Sequence, residues 1–286
     1  MKKVLLPTDF SSNAWNAITY ALEFFKDEEC TFYFLHTYSP AFYRVDYLIG
    51  GPAYSAVSDA GVDLSLARLE KTMQGVKEQY QNSKHHFETL SAFNILTDEI
   101  KDVCERKNID LILMGTQGAT GAKEIFLGTN TVFVLRKAKV PVLVVPENHK
   151  FKEIKSILFP TDYWSPYKKK ELQFMIDVAK MHKAKLIVMH MKEGCDLTPV
   201  QKENREFLAE YFDVLNHAFE EMEGHLMPNA IYEYIDEHYP NLLAMMNRKH
   251  SFLERLLTKQ NVDSIGFHTK IPFLVMRDTS KITKKT

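Results

Sequence analysis

The chain has 286 residues, of which 45% are hydrophobic and 26% are charged. This length is large for one ordinary domain and sufficient for two, and the composition excludes a disordered or a fibrous protein. The formal net charge of -1 gives no general attraction to nucleic acid or to an anionic membrane, so the sequence predicts neither partner.

Targeting and metal-binding patterns are missing from the sequence. No apolar stretch approaches the roughly 20 residues that span a bilayer, and Pro7 and Asp9 come before any signal-peptide core can develop. We therefore expect a cytoplasmic protein. Cys30, Cys104 and Cys195 stand apart without metal-ligand spacing, and we interpret them as buried thiols.

In the first half, short runs of Val, Ile and Leu alternate with longer segments of helical periodicity. This pattern is typical of a parallel sheet with helices on both faces. Ser11 or Ser12 is expected to cap the first helix. We predict strands near 3–7, 31–37, 86–92, 110–114 and 141–145, and helices near 12–26, 62–81, 95–106 and 129–138.

Residues 39–61 carry three glycines and two prolines and are predicted to form a loop between the second strand and the second helix. A loop of this length is either a functional cover or variable padding. Its aromatic residues either cover a bound ligand or pack against the rest of the protein. They are Tyr38, at the start, and Phe42, Tyr43 and Tyr47.

The chain repeats itself once. Four segments recur in the same order: 3–12 at 156–165, 31–39 at 185–193, 109–115 at 240–246, and 140–145 at 271–276. Four ordered matches indicate a duplication. We predict two tandem doubly wound, Rossmann-like α/β domains, residues 1–148 and residues 149–286, joined by a short polar link.

The second copy is less regular than the first. A helix is predicted near 198–222, another over Asn229 to Glu237, and a strand at 241–246. The sequence shows no third strand between the helix near 198–222 and the strand at 241–246. This half is therefore predicted to have a shortened sheet, unless part of it lies outside this sequence.

A glycine-rich segment follows the fourth strand of the first copy. Gly115, Gly118 and Gly121 are spaced by two residues, and Gly128 and Thr129 come just before a helix. Bare backbone N–H groups at a strand end and at a helix N-terminus can close on phosphate oxygens. The spacing fits neither the P-loop nor the dinucleotide fingerprint. Ordinary turn chemistry is the alternative interpretation.

The same spacing resembles the signature of the universal stress protein family: Gly, two residues, Gly, nine residues, then Gly and Ser or Thr. Gly115, Gly118, Gly128 and Thr129 meet it. The Pro7-Thr8-Asp9 and Leu35-His36 segments also match the family, and the repeat extends the resemblance over nearly the whole chain.

The resemblance implies an adenine nucleotide, such as ATP, bound in the first domain. Asp9 would meet the ribose, and the backbone of Thr37 would face the adenine. Mg²⁺ could accompany the phosphates near Thr129. The pocket lining would be Pro7, Thr8 and Met114, and the phosphate contacts would be Gly115, Gly118, Gly128, Thr129, Asn130 and Thr131.

The second copy keeps Pro160-Thr161-Asp162 but has no glycine loop. Arg248, Lys249 and His250 stand where the glycines would be, so we predict no nucleotide bound there in the first copy's manner. We interpret this basic trio as a solvated loop, with an anion or partner contact as the alternative. Asp162 is expected only to cap a helix.

The function predicted from these residues is a nucleotide-responsive stress or regulatory protein. No catalytic residue is predicted, because His36 and His190 lie in apolar strands where hydrogen-bonded core histidines are common. The alternatives are a nucleotide-independent interaction module, a slow ATP hydrolase, or an enzyme acting on an adenylated or phosphorylated substrate. We expect the two domains to pair, with a homo-oligomer and an unknown protein partner as further possibilities.

Overall fold

The computed structural model describes residues 1–38, 55–116, 127–192, 196–223, 229–248 and 270–279. The chain divides into two compact units, Met1–Phe151 and Lys152–Thr286. Of the helices within the described ranges, none is both long enough and apolar enough to cross a membrane.

The first unit alternates strands and helices along the chain. Their bounds are β1 Lys2–Pro7, α1 Ser12–Phe24, β2 Cys30–Tyr38, α2 Ser55–Gln79, β3 His85–Phe93, α3 Leu96–Lys107, β4 Leu111–Gly115, α4 Thr129–Lys137 and β5 Val142–Val145. All strand pairs in this sheet are parallel, in the order β3-β2-β1-β4-β5. The predicted doubly wound α/β fold is confirmed.

The start of α2 corrects the sequence prediction. Residues 39–61 were predicted to be a loop, but α2 begins at Ser55 and includes Gly61. The early part of this helix is rich in small and polar residues and lacks an apolar stripe. Glycine also disfavours helix, so the sequence pattern concealed the helical start.

The second unit repeats the architecture. Its elements are β6 Ser156–Thr161, α5 Lys169–His182, β7 Lys185–Lys192, α6 Pro199–Phe212, β8 His217–Glu223, α7 Asn229–His238, β9 Leu242–Asn247 and β10 Phe273–Arg277. Its strands are again parallel, in the order β10-β9-β6-β7-β8.

The prediction of a shortened second sheet is wrong. The predicted helix over 198–222 ends at Phe212, and residues 217–223 form β8, which pairs with β7 along its length. Three of the seven residues of β8 are glutamate, a residue depleted in strands. Backbone pairing with β7 outweighs this local preference. Such pairing with another strand cannot be predicted from the periodicity of the β8 sequence.

Central strands of the first unit are apolar because helices cover both faces. Leu5 and Ile112, which pair across β1 and β4, are both fully buried. Cys30 and Cys104 are buried as expected, and burial raises the pKa of each thiol to about 12. Cys195 lies outside the described residues.

His85, at the start of β3, is a buried histidine. Its Nε2 lies 3.1 Å from the Phe25 carbonyl oxygen, an acceptor, so Nε2 carries the proton. Its Nδ1 is buried and has no hydrogen-bond partner among the described residues. Burial is the main cause that lowers the pKa of His85 below 6.5, and the hydrogen bond to the Phe25 carbonyl acts in the opposite direction.

The free energy of unfolding is therefore expected to fall as the pH drops below 6.5, the ordinary histidine pKa, because the unfolded chain takes up a proton that folded His85 resists. The slope from this one group can reach about 1.4 kcal/mol per pH unit. Histidine changes its charge between about pH 5 and about pH 8. Urea titrations over this range should show that the unfolding free energy of His85→Gln depends less on pH than that of the native chain. The exposed neighbour His86 provides a comparison: its charge is a smaller cause of the lowered pKa of His85, so His86→Gln should change this pH dependence less than His85→Gln does.

Candidate functional site

Three neighbouring strands of the first unit end at one edge of the sheet. Pro7 of β1 pairs with Leu35 of β2, and the register between β1 and β4 continues to place Met114 beside Pro7. Asp9 and Thr37 each follow two residues later in the chain. The strand order reverses direction between β1 and β4, which is where ligands bind in open parallel sheets.

The turn between β1 and α1 fixes Asp9 at this edge. The Thr8 hydroxyl accepts the Phe10 N–H at 3.0 Å, and Asp9 Oδ1 accepts the Ser11 N–H at 3.0 Å. Phe10 has a φ of 65°, a left-handed conformation that costs a non-glycine residue free energy. These two hydrogen bonds hold the turn, and the Asp9 carboxylate stays exposed.

His36 supports the same turn from β2. Its Nδ1 lies 2.9 Å from the Thr8 carbonyl oxygen, and its ring centroid is 4.4 Å from that of Phe10. Because a carbonyl only accepts, His36 donates its Nδ1 proton to Thr8. The contacts are those of a hydrogen-bonded structural histidine.

Gly115 ends β4 against α1. A Cβ at Gly115 would lie 2.7 Å from Asn13 Nδ2 and 2.9 Å from Asn13 Oδ1. These distances are shorter than a Cβ contact allows, so glycine is required here by packing. The buried Asn13 side chain thereby brings the first turn of α1 close to the end of β4.

The start of α4 lies beside the end of β4. Gly128 is the N-cap residue, and its N–H donates to the Thr116 carbonyl. Thr131 is buried, and its hydroxyl donates to the Gly115 carbonyl at 3.0 Å. That hydroxyl was predicted to contact phosphate; in this structure its proton is used to fasten the helix to the strand.

Thr129 and Asn130 are exposed in the first turn of α4. The first N–H groups of a helix have no acceptor within the helix, and Gly128 has no side chain to cap them. No acidic residue lies in this turn, so the positive end of the helix dipole is not neutralised locally. The geometry suits an anion.

Part of the predicted site lies outside the described residues. Gly118, Phe42, Tyr43 and Tyr47 fall there, and their contacts stay predictions. Among the described residues, no group of three or more His, Cys, Asp or Glu side chains could hold a metal ion.

The second unit reproduces the β1–α1 turn atom by atom. The Thr161 hydroxyl accepts the Tyr163 N–H, and Asp162 Oδ1 accepts the Trp164 N–H, each at 3.0 Å. Tyr163 has a φ of 56°, and His190 Nδ1 lies 3.0 Å from the Thr161 carbonyl oxygen. This turn is therefore a structural feature of both copies, and its presence does not by itself indicate a ligand.

The two copies differ in the residue that follows the fourth strand of each sheet, which is Arg248 in the second unit. Its guanidinium is buried, lies 4.4 Å from the Tyr167 ring centroid, and donates to Glu171 Oε2 at 3.0 Å and to the Ser165 carbonyl at 3.2 Å. Asp278 Oδ2 is 3.8 Å from its Nε. The interpretation of Arg248 as part of a solvated loop is wrong, because Glu171 supplies a buried countercharge. Lys249 and His250 lie outside the described residues.

Sequence analysis also missed a cavity of about 550 Å³ between the β1–α1 turn and α2. Asp9 lines it together with Arg68 and Lys71. Neither cation belongs to a motif, and the cavity joins residues about 60 positions apart, so only the folded backbone reveals it.

The fold defines a protein of two doubly wound α/β units, the first of which has an exposed helix start, that of α4, at the carboxyl edge of its sheet. A solved universal stress protein from Archaeoglobus fulgidus shares the fold at a TM-score of 0.65 and 20% identity, over 96% of both chains. Two universal stress proteins of Methanocaldococcus jannaschii are similar in sequence. MJ0531 is 32% identical over 52% of this chain and 84% of its own length, and MJ0577 is 30% identical over 50% and 94%.

The model of the universal stress protein family matches residues 1–146. The chain belongs to the universal stress protein family.

Proposed function

We propose that this protein binds ATP or another adenine nucleotide at the carboxyl edge of the first unit's sheet, and acts as a nucleotide-responsive regulatory protein. The observation that carries the proposal is the pairing at one edge of an exposed carboxylate, Asp9, with the exposed first turn of α4 at Thr129 and Asn130.

The two groups match the two polar parts of a nucleotide. Ribose hydroxyls are donors that a carboxylate such as Asp9 accepts. Phosphate oxygens are acceptors suited to helix N-terminal N–H groups. Met114 and Pro7 are buried where β4 and β1 end, beneath this edge, and the apolar surface they offer suits a nucleobase.

Mg²⁺ would be held mainly by the phosphates, and the exposed Thr129 hydroxyl could supply a protein oxygen beside them. A bound metal would neutralise phosphate charge. The proposal assigns no catalytic residue and requires no hydrolysis; binding itself is the proposed regulatory event.

Replacing Thr129 with glutamate should separate ligand binding from stability. An acid in the first turn favours the helix dipole, so the unfolding free energy should hold or rise by about 0.3–1 kcal/mol. The same carboxylate would repel phosphate, so ATP affinity should fall about 10- to 100-fold. Thr129→Ser keeps the hydroxyl and is the matched control.

Equilibrium binding of a fluorescent ATP analogue, with thermal unfolding of each variant, measures both quantities. Equal affinity of the glutamate and serine variants would place the phosphates elsewhere and overturn the proposed site. A glutamate variant that binds weakly while remaining as stable as the native chain would support it.

A further inference from the structure

The cavity of about 550 Å³ beside the proposed nucleotide edge has its own chemistry. It lies within the first unit, between the β1–α1 turn on one side and one face of α2 on the other. The residues that define its character are Asp9, Phe10, Trp15, Arg68, Lys71 and Thr72.

Aromatic side chains form the body of this cavity. Gly75 of α2 lets the helix approach Trp15: a Cβ there would lie 3.3 Å from Trp15 Cη2. Phe10 lies at the other side, with the Arg68 guanidinium carbon 5.7 Å from its ring centroid. Phe10 is in contact with His36 and with Arg68, so the Trp15 ring is the aromatic surface that the cavity offers to a small ligand.

The charge of the cavity is net positive. Arg68 and Lys71 are three residues apart on α2 and so project from the same face, and both line the cavity. Asp9 is the single carboxylate among the lining residues. Within the described ranges, neither Arg68 nor Lys71 forms an ion pair.

The second unit differs at the corresponding place. There α6 is joined directly to the matching turn: Gln201 Nε2 donates to the Asp162 carbonyl at 2.9 Å, and Asn204 Nδ2 donates to the Tyr163 carbonyl at 2.7 Å. Two amides of α6 are hydrogen-bonded to the turn in the second unit, whereas two cations of α2 line a cavity beside the turn in the first.

We propose that this cavity is a binding site for a small organic anion, whose phosphoryl or carboxylate group is held by Arg68 and Lys71 while its aromatic body packs against Trp15. The guanidinium can bind such a group through two parallel hydrogen bonds, and the lysine adds a point charge. The site is separate from the phosphate contacts of α4 and shares Asp9 with the proposed nucleotide site. The proposal rests on the residues that line this cavity, and it holds whether or not the protein binds ATP.

Phenyl phosphate is the probe that combines these features. The chain has two tryptophans, so 5-fluorotryptophan labelling gives one ¹⁹F NMR signal from Trp15 and one from Trp164, which is exposed in the second unit. Phenyl phosphate should shift the Trp15 signal saturably and leave Trp164 unmoved. Inorganic phosphate should act more weakly, and phenol should have no comparable effect.

Variants test the assignment of the anion. Arg68→Gln and Lys71→Gln should each weaken phenyl phosphate binding severalfold, and the double variant about tenfold or more, because each removes a charge-assisted hydrogen bond. Lys77→Gln, an exposed lysine on the same helix that does not line the cavity, should leave affinity unchanged. The side chains of Arg68 and Lys71 are exposed, so their replacement should leave the protein folded.

Two results would overturn the site: a Trp15 signal that phenyl phosphate does not move, or a shift that survives the double Arg68→Gln, Lys71→Gln variant. ATP is titrated in parallel. If ATP binds while phenyl phosphate does not, the cavity proposal fails and the nucleotide proposal stands. If the double variant weakens ATP as strongly as Thr129→Glu does, the cavity is part of the nucleotide site and the separate site is refuted.

Discussion

Replacing Glu171 with alanine is expected to lower the unfolding free energy of the second unit by about 3–5 kcal/mol, the cost of leaving a buried charge without its partner. Glu171 Oε2 accepts from Arg248 at 3.0 Å, and its Oε1 accepts from both the N–H and the hydroxyl of Thr279 at 2.7 Å. The Glu171 side chain is 1% exposed and that of Arg248 8%. The variant would leave the buried guanidinium with the more distant and more exposed Asp278 carboxylate, 3.8 Å from its Nε, in place of a direct hydrogen-bonded countercharge.

The size of this effect depends on the buried charge that loses this partner, and a double variant tests that cause. Glu171→Met combined with Arg248→Met removes both charges, and should recover most of the loss because buried ion pairs can be replaced by apolar side chains at little net cost. Asp236 and Lys270 form an exposed pair at 2.7 Å. Asp236→Ala should therefore cost less than about 1 kcal/mol.

Urea unfolding followed by the ¹⁹F signal of Trp164 reports the second unit in all three variants. A Glu171→Ala cost no larger than that of Asp236→Ala would show that the cluster contributes little. A double variant as unstable as the single one would show that the carboxylate's other hydrogen bonds, rather than the loss of its ion pair with Arg248, carry the effect.

Replacing Gly115 with alanine is expected to destabilise the first unit by about 1–3 kcal/mol, the usual cost of inserting a methyl group into a packed interior. The added Cβ would lie 2.7 Å from Asn13 Nδ2 and must displace that buried side chain. The displacement would also shift α1 against β4, two elements at the proposed nucleotide edge. ATP affinity should consequently fall about tenfold, equivalent to about 1.4 kcal/mol.

A second change at Asn13 distinguishes steric strain from other causes. In the double Gly115→Ala, Asn13→Ala variant the clash disappears, so the two effects on stability should be less than additive by about 1 kcal/mol or more. Thermal unfolding of the four proteins in this cycle gives the coupling energy. Strictly additive losses would contradict the close packing of Asn13 on Gly115.

Much of the architecture is legible in the sequence. The buried parallel strands are continuous apolar runs, and the predicted bounds of the first five lie within one residue of those in the structure. The repeated Pro-Thr-Asp segments form matching turns, with equivalent hydrogen bonds at Asp9 and Asp162. These features are local, since they depend on short stretches of chain and on the alternation of strands with helices. The expectation that Asp162 caps a helix is wrong, because α5 begins only at Lys169.

Features that depend on distant partners were not predictable. β8 exists because β7 pairs with it, against the preference of its glutamates. Arg248 is buried because Glu171, 77 residues earlier, lies opposite it. Gly115 was predicted to contact phosphate, and the structure adds a packing reason, Asn13, that no local pattern contains.

Isothermal titration calorimetry of ATP with the whole chain tests the central claim most directly, because the copies differ at one decisive place. The first unit presents the exposed start of α4 beside Asp9, whereas buried Arg248 follows β9 in the second. We predict a stoichiometry of one nucleotide per chain. No measurable binding to the folded protein would contradict the proposed function, and two nucleotides per chain would contradict the assignment of binding to the first unit alone.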